Sequence, residues 1–173
     1  MANPGCEILV TDTPLRDTCR AAAAEDVAPG CGAVVDFWGA VRPRENGREI
    51  EGIDYEAHRA MAEHQLRKIG EQATQKFRLA RVIIHHRIGF IAVGEPSLFL
   101  RVASLHREEA FRASQWIVSE LKEKVPIWKR PRFLARTVDG ERRAAESKAP
   151  PGAGASRPLH EASSSAGMTK ATQ

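Results

Sequence analysis

Leu121-Lys122-Glu123-Lys124-Val125-Pro126-Ile127-Trp128-Lys129-Arg130 contains both kinds of element from which this chain is built. An amphipathic helical pattern stops at Pro126, which cannot continue a helix and biases Val125 away from helical angles. An extended Ile127-Trp128-Lys129 follows at once, so Lys122 and Lys129 stand on either side of a rigid corner. Fixed cations beside an apolar wall of Ile127 and Trp128 suit an anionic substrate. Taken alone, the segment reads more simply as a helix C-terminus, with cations favoured by the dipole and a tryptophan in the core.

Working outward, the helix that ends here spans Arg107 to Lys124, with Ala110, Ser114, Ile117 and Leu121 on one face, flanked by Phe111 and Val118. Glu108 and Glu109 lie in its first turn, where negative charge is favoured. A second long helix is predicted from about Ala57 to Phe77, because Ala62, Leu66, Ile69, Ala73 and Phe77 recur at three- and four-residue steps. A shorter one is predicted from Leu15 to about Ala24, opened by Thr13-Pro14 and stopped before Pro29-Gly30. Strands are expected at Glu7 to Thr11, Gly32 to Arg42, Ile50 to Tyr55, Arg81 to Arg87 and Ser97 to Ser104. Pro43 to Arg48 reads as a polar loop with an Asn46-Gly47 turn signal, and Gly94-Glu95-Pro96 as a turn. Two long helices among antiparallel-looking strands define an α+β domain.

The domain is expected to cover residues 1–143. Residues 144–173 are dominated by Ala, Ser, Gly and Pro and nearly lack large apolar side chains, so they read as a disordered tail that cannot offset its ordering entropy. The whole chain has 173 residues, enough for one core. No run is apolar enough to cross a membrane, and Met1 to Val10 lacks an export pattern, so a cytoplasmic location is expected. Cys6, Cys19 and Cys31 are odd in number without CxxC spacing, which argues against a disulfide framework or zinc site. His85 and His86 alternate on one strand and are expected to divide, one core-facing and one exposed, with no metal. The net charge of +4 invites a nucleic-acid reading, but the basic residues are interleaved with 22 acids and form no dense stripe. A basic pocket for a small phosphate-bearing ligand explains the bias as well.

Several patches occur in a telling order: Phe37-Trp38-Gly39-Ala40-Val41-Arg42, Asp54-Tyr55-Glu56-Ala57, His86-Arg87-Ile88-Gly89, His106-Arg107-Glu108-Glu109-Ala110-Phe111 and Pro126-Ile127-Trp128-Lys129. Together, over roughly residues 7–135, they resemble the large, catalytic subunit of molybdopterin synthase, the MoaE family. The resemblance implies an α/β-hammerhead fold, a homodimer core and no cofactor. It also implies a small ubiquitin-like sulfur carrier, ending in a Gly-Gly thiocarboxylate, docked on each large subunit. The implied reaction places two sulfurs on cyclic pyranopterin monophosphate, forming the dithiolene of molybdopterin.

Carried onto matching positions, the resemblance implies a pocket of Arg42, His106, Arg107, Lys122 and Lys129, with Lys122 foremost for catalysis and Lys129 beside it. Arg130, adjacent to Lys129, joins the substrate-binding candidates. Two departures stand out: the family often carries a glutamate where Pro131 follows Lys129-Arg130, and Ala40 replaces a position that is often polar. Ala40 is therefore left out of the site. The pocket residues each have a plainer reading, Arg42 as a strand-end residue, His106 and Arg107 as a helix start, Lys122 as a solvated helix residue. Lys129 has the best independent case, since Pro126 and Trp128 fix its backbone.

Spacing adds one constraint. Arg107 and Lys122 lie at opposite ends of one predicted helix, their backbones roughly 22 Å apart at 1.5 Å per residue. A pocket that uses both is expected to be composite, with His106 and Arg107 from one protomer and Lys122 and Lys129 from another. Two further function classes compete with the sulfurtransferase: a non-catalytic dimer binding anions, nucleotides or nucleic acid, and a degenerate family member without turnover.

Overall fold

Two helical stripes lie where a sheet needs covering. The computed structural model of the chain describes residues 5–24 and 30–135. Within them, β1 (Cys6–Thr11) and α1 (Leu15–Ala24) come first, followed by β2 (Ala33–Ala40), β3 (Arg44–Glu45) and β4 (Arg48–Ala57). Helix α2 (Arg59–Phe77) leads into β5 (Arg81–Arg87), β6 (Gly89–Ala92) and β7 (Pro96–Ser104), and α3 (Arg107–Lys124) into β8 (Ile127–Phe133). The boundary expected near Arg143, and the tail beyond it, lie outside the described residues.

The larger sheet has the order β1-β5-β7-β2. Strand β1 runs parallel to β5, while the β5–β7 and β2–β7 pairs are antiparallel. The antiparallel expectation therefore fails at one edge. Alternation of side chains looks the same in both pairings, so it carries no information on strand direction. The smaller sheet is built around β4, which pairs with β3, β6 and β8, all antiparallel. Strands β3 and β6 are not among the expected strands because both are short, and β3 lies in a polar stretch; β8 begins with the expected extended Ile127-Trp128-Lys129 and runs on through Pro131 to Phe133. Pro131 is tolerated because, among the described residues, β8 borders only β4 and leaves its other edge unpaired.

Ala62, Leu66, Ile69, Ala73 and Phe77 of α2 and Ala110, Ile117 and Leu121 of α3 bury one face of the larger sheet, against Val10, Val82, Ile84, Leu100 and Val102. On the opposite face, Leu15 and Cys19 of α1 pack on Ile83 and Phe99. A third cluster, Val41, Ile50, Ile53 and Ile91, fills the smaller sheet. Burial of each large side chain contributes about 1.5–3 kcal/mol. The α2 boundary is set locally: His58 Nδ1 accepts from the Met61 N–H at 3.3 Å, and Arg78 ends the helix at a left-handed φ of 53°.

Covering both faces changes the fate of the two histidines. The expectation that one of them is exposed is overturned: His85 and His86 are both buried. His85 shares the α1 face with Ile83 and is linked at both nitrogens, Nδ1 3.4 Å from the Cys19 thiol and Nε2 2.7 Å from a Glu7 carboxylate oxygen. His86 lies on the opposite face with Val82 and Ile84 and donates from Nδ1 to the Arg87 carbonyl at 2.8 Å. Cys6, Cys19 and Cys31 are all free thiols.

Candidate active site

The corner at Pro126 opens one wall of a cavity of about 670 Å³ between the two sheets and the C-terminal end of α3. Helix α3 supplies Val118, Leu121 and Lys122, and β8 supplies Ile127 and Lys129. The far wall is the end of β2, Phe37 to Ala40, continuing through Val41 to Arg42. A register shift between Gly39 and Ala40 in the β2–β7 ladder turns the chain there, the usual effect of a bulge at a sheet rim. Arg42, Lys122 and Lys129, distant in sequence, thus line one space.

The electrostatics are uneven. Glu45 faces Arg42 at 3.7 Å and forms a short ion pair with the Lys129 ammonium. The Lys129 hydrogen bond, followed by the charges of Lys129 and Arg42, holds the Glu45 carboxyl below the usual glutamate range. Lys122 is exposed and makes no ion pair among the described residues. Three cations and one carboxylate therefore share the lining, with Lys122 as the unneutralised charge at the end of a helix.

His86 and Tyr55 form the floor, their rings edge-on at 5.5 Å. Burial pushes the His86 imidazole down to about 4, only partly opposed by its bond to the Arg87 carbonyl. Because its folded value lies below the ordinary 6.5, the unfolded chain binds the extra proton between those limits. Stability is therefore present above pH 6.5 and lost as pH falls toward 4, by about 3 kcal/mol in all. Urea unfolding from pH 7 to 4.5 should show this loss in the wild type and a much flatter response in His86→Gln. Carboxylates contribute mainly below this window, so parallel curves would rule out His86 as the source.

Not every candidate residue reaches the cavity. His106 is the N-cap of α3 and Arg107 its first residue, and the helix runs unbroken to Lys124, so both sit at the far end from Lys122. Arg130 projects from the opposite side of β8 to Lys129 and pairs with Glu56 at 3.1 Å. Trp128, read from sequence as part of the apolar wall, does not line the cavity and is largely exposed; strand alternation leaves Ile127 and Lys129 inward. Ala40, excluded on sequence, does line it, as do Glu45, Tyr55 and His86. Of these only the neighbouring turn was legible: Asn46 and Gly47 adopt positive φ of 52° and 77°, as their sequence signals, and the turn follows directly on Glu45.

Residues 10–124 match the model of the MoaE protein family, about two thirds of the chain. The chain belongs to the MoaE family. Among relatives of this MoaE-family chain, the molybdopterin synthase catalytic subunit of Pseudomonas aeruginosa is 44% identical over 101 residues, covering 58% of this chain and 67% of that protein. The corresponding subunit of Pyrococcus abyssi is 42% identical over 99 residues, covering 57% and 67%. The aligned stretch thus spans about two thirds of these relatives' own length. The crystal structure of molybdopterin synthase from Staphylococcus aureus superposes with a TM-score of 0.63 at 32% identity, covering 74% of this chain and 90% of that one. MoaE membership places the chain in molybdenum cofactor biosynthesis, and the α+β class read from its sequence agrees with these neighbours.

Proposed function

We propose that this chain is the catalytic subunit of a cytoplasmic molybdopterin synthase, transferring sulfur from a small carrier's C-terminal thiocarboxylate to cyclic pyranopterin monophosphate. The observation that carries the reading is the convergence of Arg42, Lys122 and Lys129 on one cavity with an apolar wall. Both reactants are anions. At ~4 Å two unit charges repel by about 4 kcal/mol at an effective dielectric of 20, and clustered cations offset that cost. Arg42 suits the phosphate, since a guanidinium offers paired donors, while Lys122 serves as a point charge at the reacting centre. Lys129 supports charge and position.

His106 and Arg107 enter the reading only from a second copy, because the length of α3 keeps them from the cavity of their own chain. In that role Arg107 would add to phosphate and pterin binding and His106, an imidazole, would transfer a proton. Leu105, just before this pair, and Phe111, one helical turn after it, are each about three-fifths exposed, which suits a surface covered in a homodimer. Arg130 is assigned no contact with substrate in its own chain.

The test is incubation with a thiocarboxylated Gly-Gly-ending carrier and the cyclic pterin, following the dithiolene product. Product that forms only when chain, carrier and pterin are all present is the expected result. Absence of product, with steeply salt-dependent binding to nucleic acid, would favour the binding-protein class instead.

A further inference from the structure

The cavity already holds an anion of its own. Glu45 is the most enclosed charge in the site, its side chain 13% exposed against 80% for Arg42 and 54% for Lys129. The two cations therefore reach over the carboxylate from the solvent side. A ligand anion that draws on the same donors of Arg42 and Lys129 competes with Glu45 for them. The hairpin keeps the carboxylate there: the Asn46-Gly47 turn sets Glu45 opposite Arg48, and Arg44 pairs with Glu49 at 3.0 Å on the neighbouring rung.

We infer that Glu45 is an internal competitor for the phosphate subsite, occupying Arg42 and Lys129 when the site is empty and weakening their hold on a bound phosphate. It is a specificity and release residue and takes no part in bond making. The inference rests on reading the cavity as an anion site and deepens it by dividing the cations in two. Lys122 stays available to the reacting centre, while Arg42 and Lys129 exchange one carboxylate for one phosphate. Protonation does not release the pair near neutrality, because the carboxyl is held below the usual glutamate range. Exchange with an incoming anion is what frees it. The advantage to an enzyme is release: a subsite with two unopposed cations would retain a phosphorylated product.

The probe is inorganic phosphate, titrated calorimetrically at low ionic strength into the full chain, without carrier or pterin. Glu45→Gln should bind it about five- to tenfold more tightly than the wild type, the effect of removing competition from two partly exposed ion pairs. Glu49→Gln is the control. It makes the same charge change on the same hairpin, but Glu49 pairs with Arg44 outside the cavity lining, so affinity should stay within about twofold. Equal tightening in both variants would reduce the effect to net charge and overturn the inference. Unchanged or weaker binding by Glu45→Gln would overturn it too, showing that the carboxylate organises the cations for the ligand. Should Glu45→Gln not fold, Glu45→Asp, one methylene too short to span both cations, should shift affinity in the same direction by less, and no shift would again refute the idea. Since no turnover is read, a failed sulfur-transfer assay leaves this result standing, and the reverse holds as well.

Discussion

Replacing Lys122 with alanine is expected to lower dithiolene formation by about 10²–10³-fold, the usual loss when a preorganised electrostatic group is removed from a reacting centre. The fold should hardly notice. Lys122 is exposed on the last turn of α3 and makes no ion pair among the described residues, whereas its neighbour Leu121 is buried and anchors that turn. Only the dipole contribution of a cation at a helix C-terminus is lost, about 0.3–1 kcal/mol. The variant should therefore elute as the wild type does and bind the carrier with similar affinity while failing in single-turnover sulfur transfer. Near-normal turnover would remove Lys122 from the mechanism, and a large drop in melting temperature would return it to the plainer role of a helix-end residue.

Mixing two inactive chains should restore activity. Arg107→Ala and Lys122→Ala lie at opposite ends of the same unbroken helix, so one chain cannot bring both groups to one ligand. In a two-fold dimer that shares its sites, a heterodimer of the variants has one site with both substitutions and one with neither. With random exchange of equal amounts, about one quarter of wild-type activity is expected, since about half the dimers carry one intact site of two. Activity should appear only after subunit exchange, and should be absent from either variant alone. Failure to complement, with exchange verified by mass, would confine the site to the single-chain cavity and leave Arg107 as a surface residue of the α3 N-terminus.

The helices were largely legible because their signals are local. Helix α3 begins and ends where its acidic first turn and Pro126 place it, and α2 buries the five residues whose spacing marked its stripe. The same locality explains why helix length alone could separate Arg107 from Lys122. The site was half legible: Arg42, Lys122 and Lys129 were named from the family resemblance, and all three line the cavity. Their carboxylate partner was not, since nothing near Glu45 in the chain says that Lys129, 84 positions away, reaches back to it.

The sequence by itself determined the helices, the turn chemistry at Asn46-Gly47, the α+β class and the family, because each depends on residues close along the chain or on the order of short patches. Only the tertiary structure decided the parallel β1–β5 edge, the burial of both His85 and His86, and the inward position of Glu45. The physical reason is the same in each case. Side-chain alternation says that a strand has two faces, but which neighbour it pairs with and what covers each face depend on contacts between distant segments, which form only when the layers close.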